Sequence, residues 1–258
     1  MQAFLASWDG LIWLLVLIGP VLLIQRGLHF ELQAIFLLIS RNENASIGLF
    51  SLLFLPGVLL HELSHFLMAK LLLVRTARFS LIPTVLPGGK LQLGFVETEQ
   101  TDFLRDAFIG VAPLLTGGAV VAYLALVQLA LAPLGTAFSA SDWNAIWEIL
   151  RAVPNQPDFW VWFYLTFAVA STMLPSDSDR RAWLPLALGL LLLSGAAALA
   201  GAGPWMLENL APLLNNALRA VALIFGISFT LHFLLWIPLR LLRELIARLT
   251  HTQLRSRP

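Results

Sequence analysis

The sequence predicts an all-α polytopic membrane protein with about six transmembrane helices and a small β-hairpin between spans two and three. Composition is the first reason. Of 258 residues, 59% are hydrophobic and 12% charged, about half the charged share of a soluble domain, and the mean hydropathy is +0.81. The second is run length: several apolar stretches exceed the ~18 residues that read as a membrane span. The third is one segment, 76–100, that alternates where its surroundings do not.

The bulk numbers also exclude. A net charge of +1, with no basic cluster interleaved with aromatics outside the C-terminal tail, gives nucleic acid no footprint; the bilayer is the expected partner. The absence of cysteine removes disulfides and thiolate metal sites, so any metal must be held by His, Asp or Glu. Residues 11–24 lack a basic leader and a small-residue cleavage site and are expected to be a retained span. With no internal repeat and no low-complexity linker, residues 1–258 read as one integral membrane domain.

Taken in order, the spans are expected at about 8–25, 48–73, 104–132, 158–174, 182–201 and 216–239. Residues 29–40 (HFELQAIFLLIS) are too few to cross alone and read as an interfacial or re-entrant helix. In 76–100, Lys90-Leu91-Gln92-Leu93 and Phe95-Val96 alternate around Pro87-Gly88-Gly89, the signature of a hairpin. Its edge is suited to accept an extended peptide, although a plain connecting loop explains the segment equally well. Trp143, Ile146, Trp147, Leu150 and Val153 recur at helical spacing opposite Asp142, Asn144, Glu148 and Arg151, which predicts a helix lying flat in the interface. Trp8, Trp160, Trp183, Trp205 and Trp236 fall near predicted span ends, where indoles settle. The basic amphipathic tail, 240–258, is expected on an anionic leaflet.

Lys and Arg set the orientation. With the N-terminus inside, twelve of them face the cytoplasm and four (Arg26, Arg41, Arg151 and Arg219) the outside. N-in and C-in follows from the positive-inside rule. The absence of cysteine and the short loops suit a bacterial inner membrane.

The second predicted span holds Pro56-to-Lys70, PGVLLHELSHFLMAK. On a helix, His61 and His65 stand one turn apart on one face, so both imidazoles reach one ion. Glu62 is rotated by about 100° and lies beside that ion, where a general base is wanted. An ionisable group at mid-membrane costs roughly 2.5–3.5 kcal/mol on insertion scales, so chemistry is the reading to test first. Hydrogen bonds between neighbouring helices are the plain alternative. Catalytic zinc takes three protein ligands and keeps one open position. The third is sought at the end of the fourth span, in STMLPSDSDRRAW, which the orientation puts on the side of His65. Asp179 is favoured and Asp177 is the runner-up. Ser176 capping the next helix, with Asp179 as its partner, would explain the same acids without a metal.

These features together resemble the site-2 protease family of intramembrane zinc metalloproteases. The resemblance covers roughly residues 48–182: the H-E-x-x-H in a membrane helix, the hairpin-like segment after it, Ile109-Gly110-Val111-Ala112-Pro113-Leu114 opening the next span, and a proline-plus-aspartate motif two spans later. It implies that His61, His65 and a downstream aspartate bind Zn2+. It also implies that Glu62 activates water to cut peptide bonds of membrane-protein or peptide substrates. The chain departs from the family pattern at Thr172, where Asn is usual, and in Pro-Ser-Asp-Ser-Asp-Arg, which replaces an Asp-Gly ending. Two rivals remain: a zinc protease of the kind that clips prenylated tails, whose third ligand would be Glu208 or Glu244, and a non-catalytic membrane metal carrier or chaperone. His232 is expected to bond a neighbouring helix carbonyl.

Overall fold

The computed structural model describes residues 8–85 and 91–250. It is 79% helical with two small sheets, as an all-α membrane protein requires. Four helical stretches are long and apolar enough to cross a bilayer: Asp9–Ser40, Glu43–Leu71, Phe103–Gln128 and Trp183–Leu249. The last is two helices, because the chain breaks at Gly201, whose φ of 93° is open to glycine and to few other residues. Phe159–Thr172 is apolar but shorter. The chain divides into two compact units, one of residues 1–52, 100–110 and 176–258, the other of residues 53–99 and 111–175.

In the first unit, helix α1 (Asp9–Ser40) packs along α8 (Gly203–Leu249). At its start, Asn215 accepts from the Gly10 amide at 2.9 Å and donates to Asp9 at 2.9 Å, while Arg219 pairs with Asp9 at 2.6 Å. A Cβ on Gly10 would meet the Asn215 carbonyl, so glycine sets how closely the two helices approach there. Further along, buried Glu31 pairs with Arg243. Residues 29–40 are therefore not a separate interfacial helix; they continue α1 to Ser40. Glu31, a charge inside this continuous helix, is answered by Arg243. The expected sixth span likewise extends at both ends, to Gly203–Leu249. Residues 251–258 of the tail lie outside the described residues. His232 stands 2.7 Å from the carbonyl of Ser228 on its own helix.

Helix α2 (Glu43–Leu71) begins in the first unit and, in the second, ends in a Schellman turn: Leu73 N–H donates to the Lys70 carbonyl and Val74 N–H to that of Ala69. Leu73 takes the left-handed conformation usually left to glycine (φ 60°). The turn releases the chain into β1 (Thr76–Ser80). The expected hairpin is present as two nested antiparallel pairs. β1 pairs with β4 (Phe95–Thr98), with Phe79 opposite Val96 and a bulge between Thr76 and Arg78; β2 (Thr84–Val85) pairs with β3 (Leu91–Gln92). The expected turn at Pro87-Gly88-Gly89 lies outside the described residues. Helix α3 (Phe103–Tyr123) runs on into a π-helical turn to Gln128, which packs against α6 (Phe159–Thr172). Between them come α4 (Leu134–Ser139) and α5 (Trp143–Ala152). Asp142 caps α5 by accepting from Ala145 N–H at 3.0 Å. Ile146 anchors α5 inward while Trp143, Trp147 and Leu150 are exposed along one stripe, the pattern of an interfacial helix.

Candidate metal centre

The site begins with the end of α6. In an α-helix the carbonyl of residue 172 would accept from the amide of residue 176. The helix stops at Thr172, Pro175 has no N–H to give, and the Ser176 amide donates instead to the Asp179 carboxylate at 2.7 Å. The Thr172 carbonyl is thereby released from the helix, and it stands 2.6 Å from His61 Nδ1. If His61 donates there, its tautomer is set: Nδ1 carries the proton and the Nε2 lone pair points away to act as a ligand. The approach needs Gly57, one turn before His61, because a Cβ there would run into the Ala168 carbonyl and Thr172 Oγ1.

His61 Nε2 and His65 Nε2 are 3.2 Å apart. Two imidazole nitrogens on one tetrahedral zinc, each bonded at 2.0–2.1 Å, would stand about 3.3–3.4 Å apart. The pair thus has ligand spacing. The same separation suits a single N–H···N hydrogen bond donated by His65, so the spacing alone does not name an ion. His61 and His65 belong to the second unit, and Asp179 belongs to the first. Two imidazoles and a carboxylate are a donor set that suits zinc and leaves a fourth position.

Asp179 also makes the capping arrangement that its sequence suggested. It accepts from Ser176 N–H, and its own amide donates to Ser176 Oγ at 3.3 Å. The reciprocal pair folds a turn ahead of α7 (Trp183–Ala197) instead of opening that helix. Asp177 is engaged by Arg180 at 2.6 Å and is exposed. Glu244 accepts from Arg240 at 3.4 Å and Glu208 is exposed.

Glu62 is buried, 7% exposed. The hairpin backbone closes on it at Gly94, where a Cβ would come within 2.9 Å of Glu62 Cγ, 3.0 Å of Val58 Cγ1 and 3.0 Å of the Ser80 carbonyl. On the far side of α2, Ser64 bonds Thr116 of α3, and Thr116 bonds back to the Ala112 carbonyl at 2.8 Å. An apolar groove lined by Leu60, Leu63, Leu67 and Leu71 runs beside that pair.

Sequence reasoning singled out His61, Glu62, His65, Asp177 and Asp179 but missed the parts played by the Thr172 carbonyl, Gly57 and Gly94. Gly57 had a signal, a residue without a side chain one turn before the first histidine of the motif. The carbonyl had one too, a helix end just before a proline. Gly94 had none. No family model, curated protein or solved structure matches the chain.

Proposed function

We propose that the chain is an intramembrane zinc metalloprotease of the site-2 protease type. It would span the membrane six times, N-in and C-in, and cut peptide bonds of membrane-embedded or membrane-proximal segments. The observation that carries this reading is the His61–His65 pair: 3.2 Å between Nε2 atoms, and His61 Nδ1 at hydrogen-bond distance from a main-chain carbonyl, on an apolar helix whose next buried polar group is Glu62. A half-buried pair serving structure alone has no need of an adjacent buried carboxylate.

Zinc held by His61, His65 and Asp179 would supply Lewis acidity, lowering the pKa of a bound water to about 7 and polarising the scissile carbonyl. Glu62 accepts the proton of the attacking water and delivers it to the leaving amide nitrogen, so the C–N bond breaks with an amine leaving. A helical substrate shields its amides with its own hydrogen bonds and must unwind first. The β1–β4 ladder offers an edge for the unwound strand.

The test is Glu62→Gln in purified protein reconstituted in vesicles with a model membrane-helix substrate. Zinc stoichiometry is expected to stay at that of the unmodified protein while cleavage disappears. Persistent cleavage would remove the general-base role, and a zinc-free unmodified protein would remove the reading as a whole.

A further inference from the structure

The loop that carries Asp179 is held at two points by one face of α3. Arg181 reaches Asp106, 75 residues away in sequence, through two parallel hydrogen bonds of 2.7 Å each, Nε to Oδ2 and Nη2 to Oδ1. One turn further along the same face, Gly110 lies directly against the main-chain carbonyl of Asp179 itself; a Cβ on Gly110 would overlap that oxygen. We propose that Asp106, Arg181 and Gly110 are positioning residues that set where the Asp179 carboxylate is presented, and so tune the affinity for zinc. This rests on the reading of Asp179 as the third ligand.

The geometry favours a positioning device over an ordinary surface ion pair. Bidentate Arg–carboxylate contacts fix orientation as well as distance, unlike single-point pairs between flexible chains. The Asp106 side chain is 17% exposed, so one partner of the fork is mostly shielded from water. Arg181 lies two residues after Asp179, and the Ser176–Asp179 reciprocal bonds tie the loop into one turn, so a displacement at Arg181 carries directly to the carboxylate. Partners behind metal ligands commonly change affinity by about 10–100-fold when removed.

The experiment uses the full chain in detergent. Asp106→Asn and Gly110→Ala are expected to weaken zinc binding by about 10–100-fold in competition with a chelator, and the exchange Asp106→Arg with Arg181→Asp to recover most of it. Unchanged affinity in both single variants would overturn the proposal, whatever happens to thermal stability. A second readout needs no metal. The chain has no cysteine, so a nitroxide on Ser178→Cys reports this loop alone. The zinc-free protein should show an immobilised spectrum that loosens with Asp106→Asn; a spectrum indifferent to that change would overturn the clamp. Should the parent protein bind no zinc while the spectrum responds as expected, the clamp stands and the ligand assignment of Asp179 falls.

Discussion

At His61 the contact from Nδ1 to the Thr172 carbonyl links two separate demands, the tautomer of an imidazole and the ending of another helix. The Thr172 side chain takes no part in it; Oγ1 donates back to the carbonyls of Ala168 and Val169 on its own helix. Thr172→Ala should therefore leave zinc affinity unchanged, measured by chelator competition, even though this position departs from the family pattern. Gly57→Ala should behave oppositely. A methyl there displaces α6 from α2, costing about 1–3 kcal/mol of stability by overpacking and loosening His61, with weaker zinc binding expected in the same assay. Gly94 has a third role, since it touches the carboxylate-bearing chain and not a ligand. Gly94→Val should lower kcat while zinc content and KM change little. A rise in KM with kcat preserved would assign the hairpin to substrate binding alone.

Among the elements, the hairpin and α3 show how ends are controlled. The Schellman turn after α2 puts an exposed leucine in a left-handed conformation so that β1 starts within a few residues of the motif helix and Gly94 can return to Glu62. Helix α3 opens on Asp102, which accepts from the amides of Leu104 and Arg105. The hydrogen bond from the Arg105 amide, above all, lowers the Asp102 pKa from its ordinary value of 3.8. A depressed carboxylate contributes stability that is complete above its unfolded pKa and is lost as pH falls through the folded one. Protection of the first-turn amides of α3 against exchange, corrected for the intrinsic pH dependence, should therefore fall only below about pH 4, and in Asp102→Ala the turn should be equally open at neutral pH. Asp106 sits in this first turn, so fraying there would also slacken the hold on Arg181.

For the whole molecule, the α1–α8 pair of the first unit depends on polar contacts placed inside an apolar surface. Glu31 and Arg243 are the costly case: their side chains are 6% and 22% exposed, and a buried charge without its partner destabilises by about 3–5 kcal/mol. Glu31→Gln should lower the thermal midpoint in detergent markedly, and Glu31→Leu with Arg243→Met should restore most of it, because replacing both charges removes the desolvation penalty along with the attraction. Equal losses in the single and double variants would show that the pair acts through packing.

Much of this chain was legible in one dimension. Membrane class follows from composition, because lipid selects residue type over long runs irrespective of partner. The H-E-x-x-H pair is a local property of a single helical turn, so its two nitrogens could be placed on one face from spacing alone. The nested strands showed in the alternation of 90–96. Other features depend on residues far apart in sequence. Residues 29–40 read as a separate helix because they are too few to cross alone; in the fold they continue α1, and the charge of Glu31 is answered by Arg243, more than two hundred positions away. Asp179 was favoured over Asp177 as an acid near a proline, but their partners were not legible; the folded loop gives Asp177 to Arg180 and sets Asp179 against Gly110. The proton on His61 is directed by a carbonyl that a different helix gives up where it ends. Spacing along one helix determines which groups can share a face, whereas the partner that orients or neutralises them is supplied by long-range packing, which no local pattern encodes.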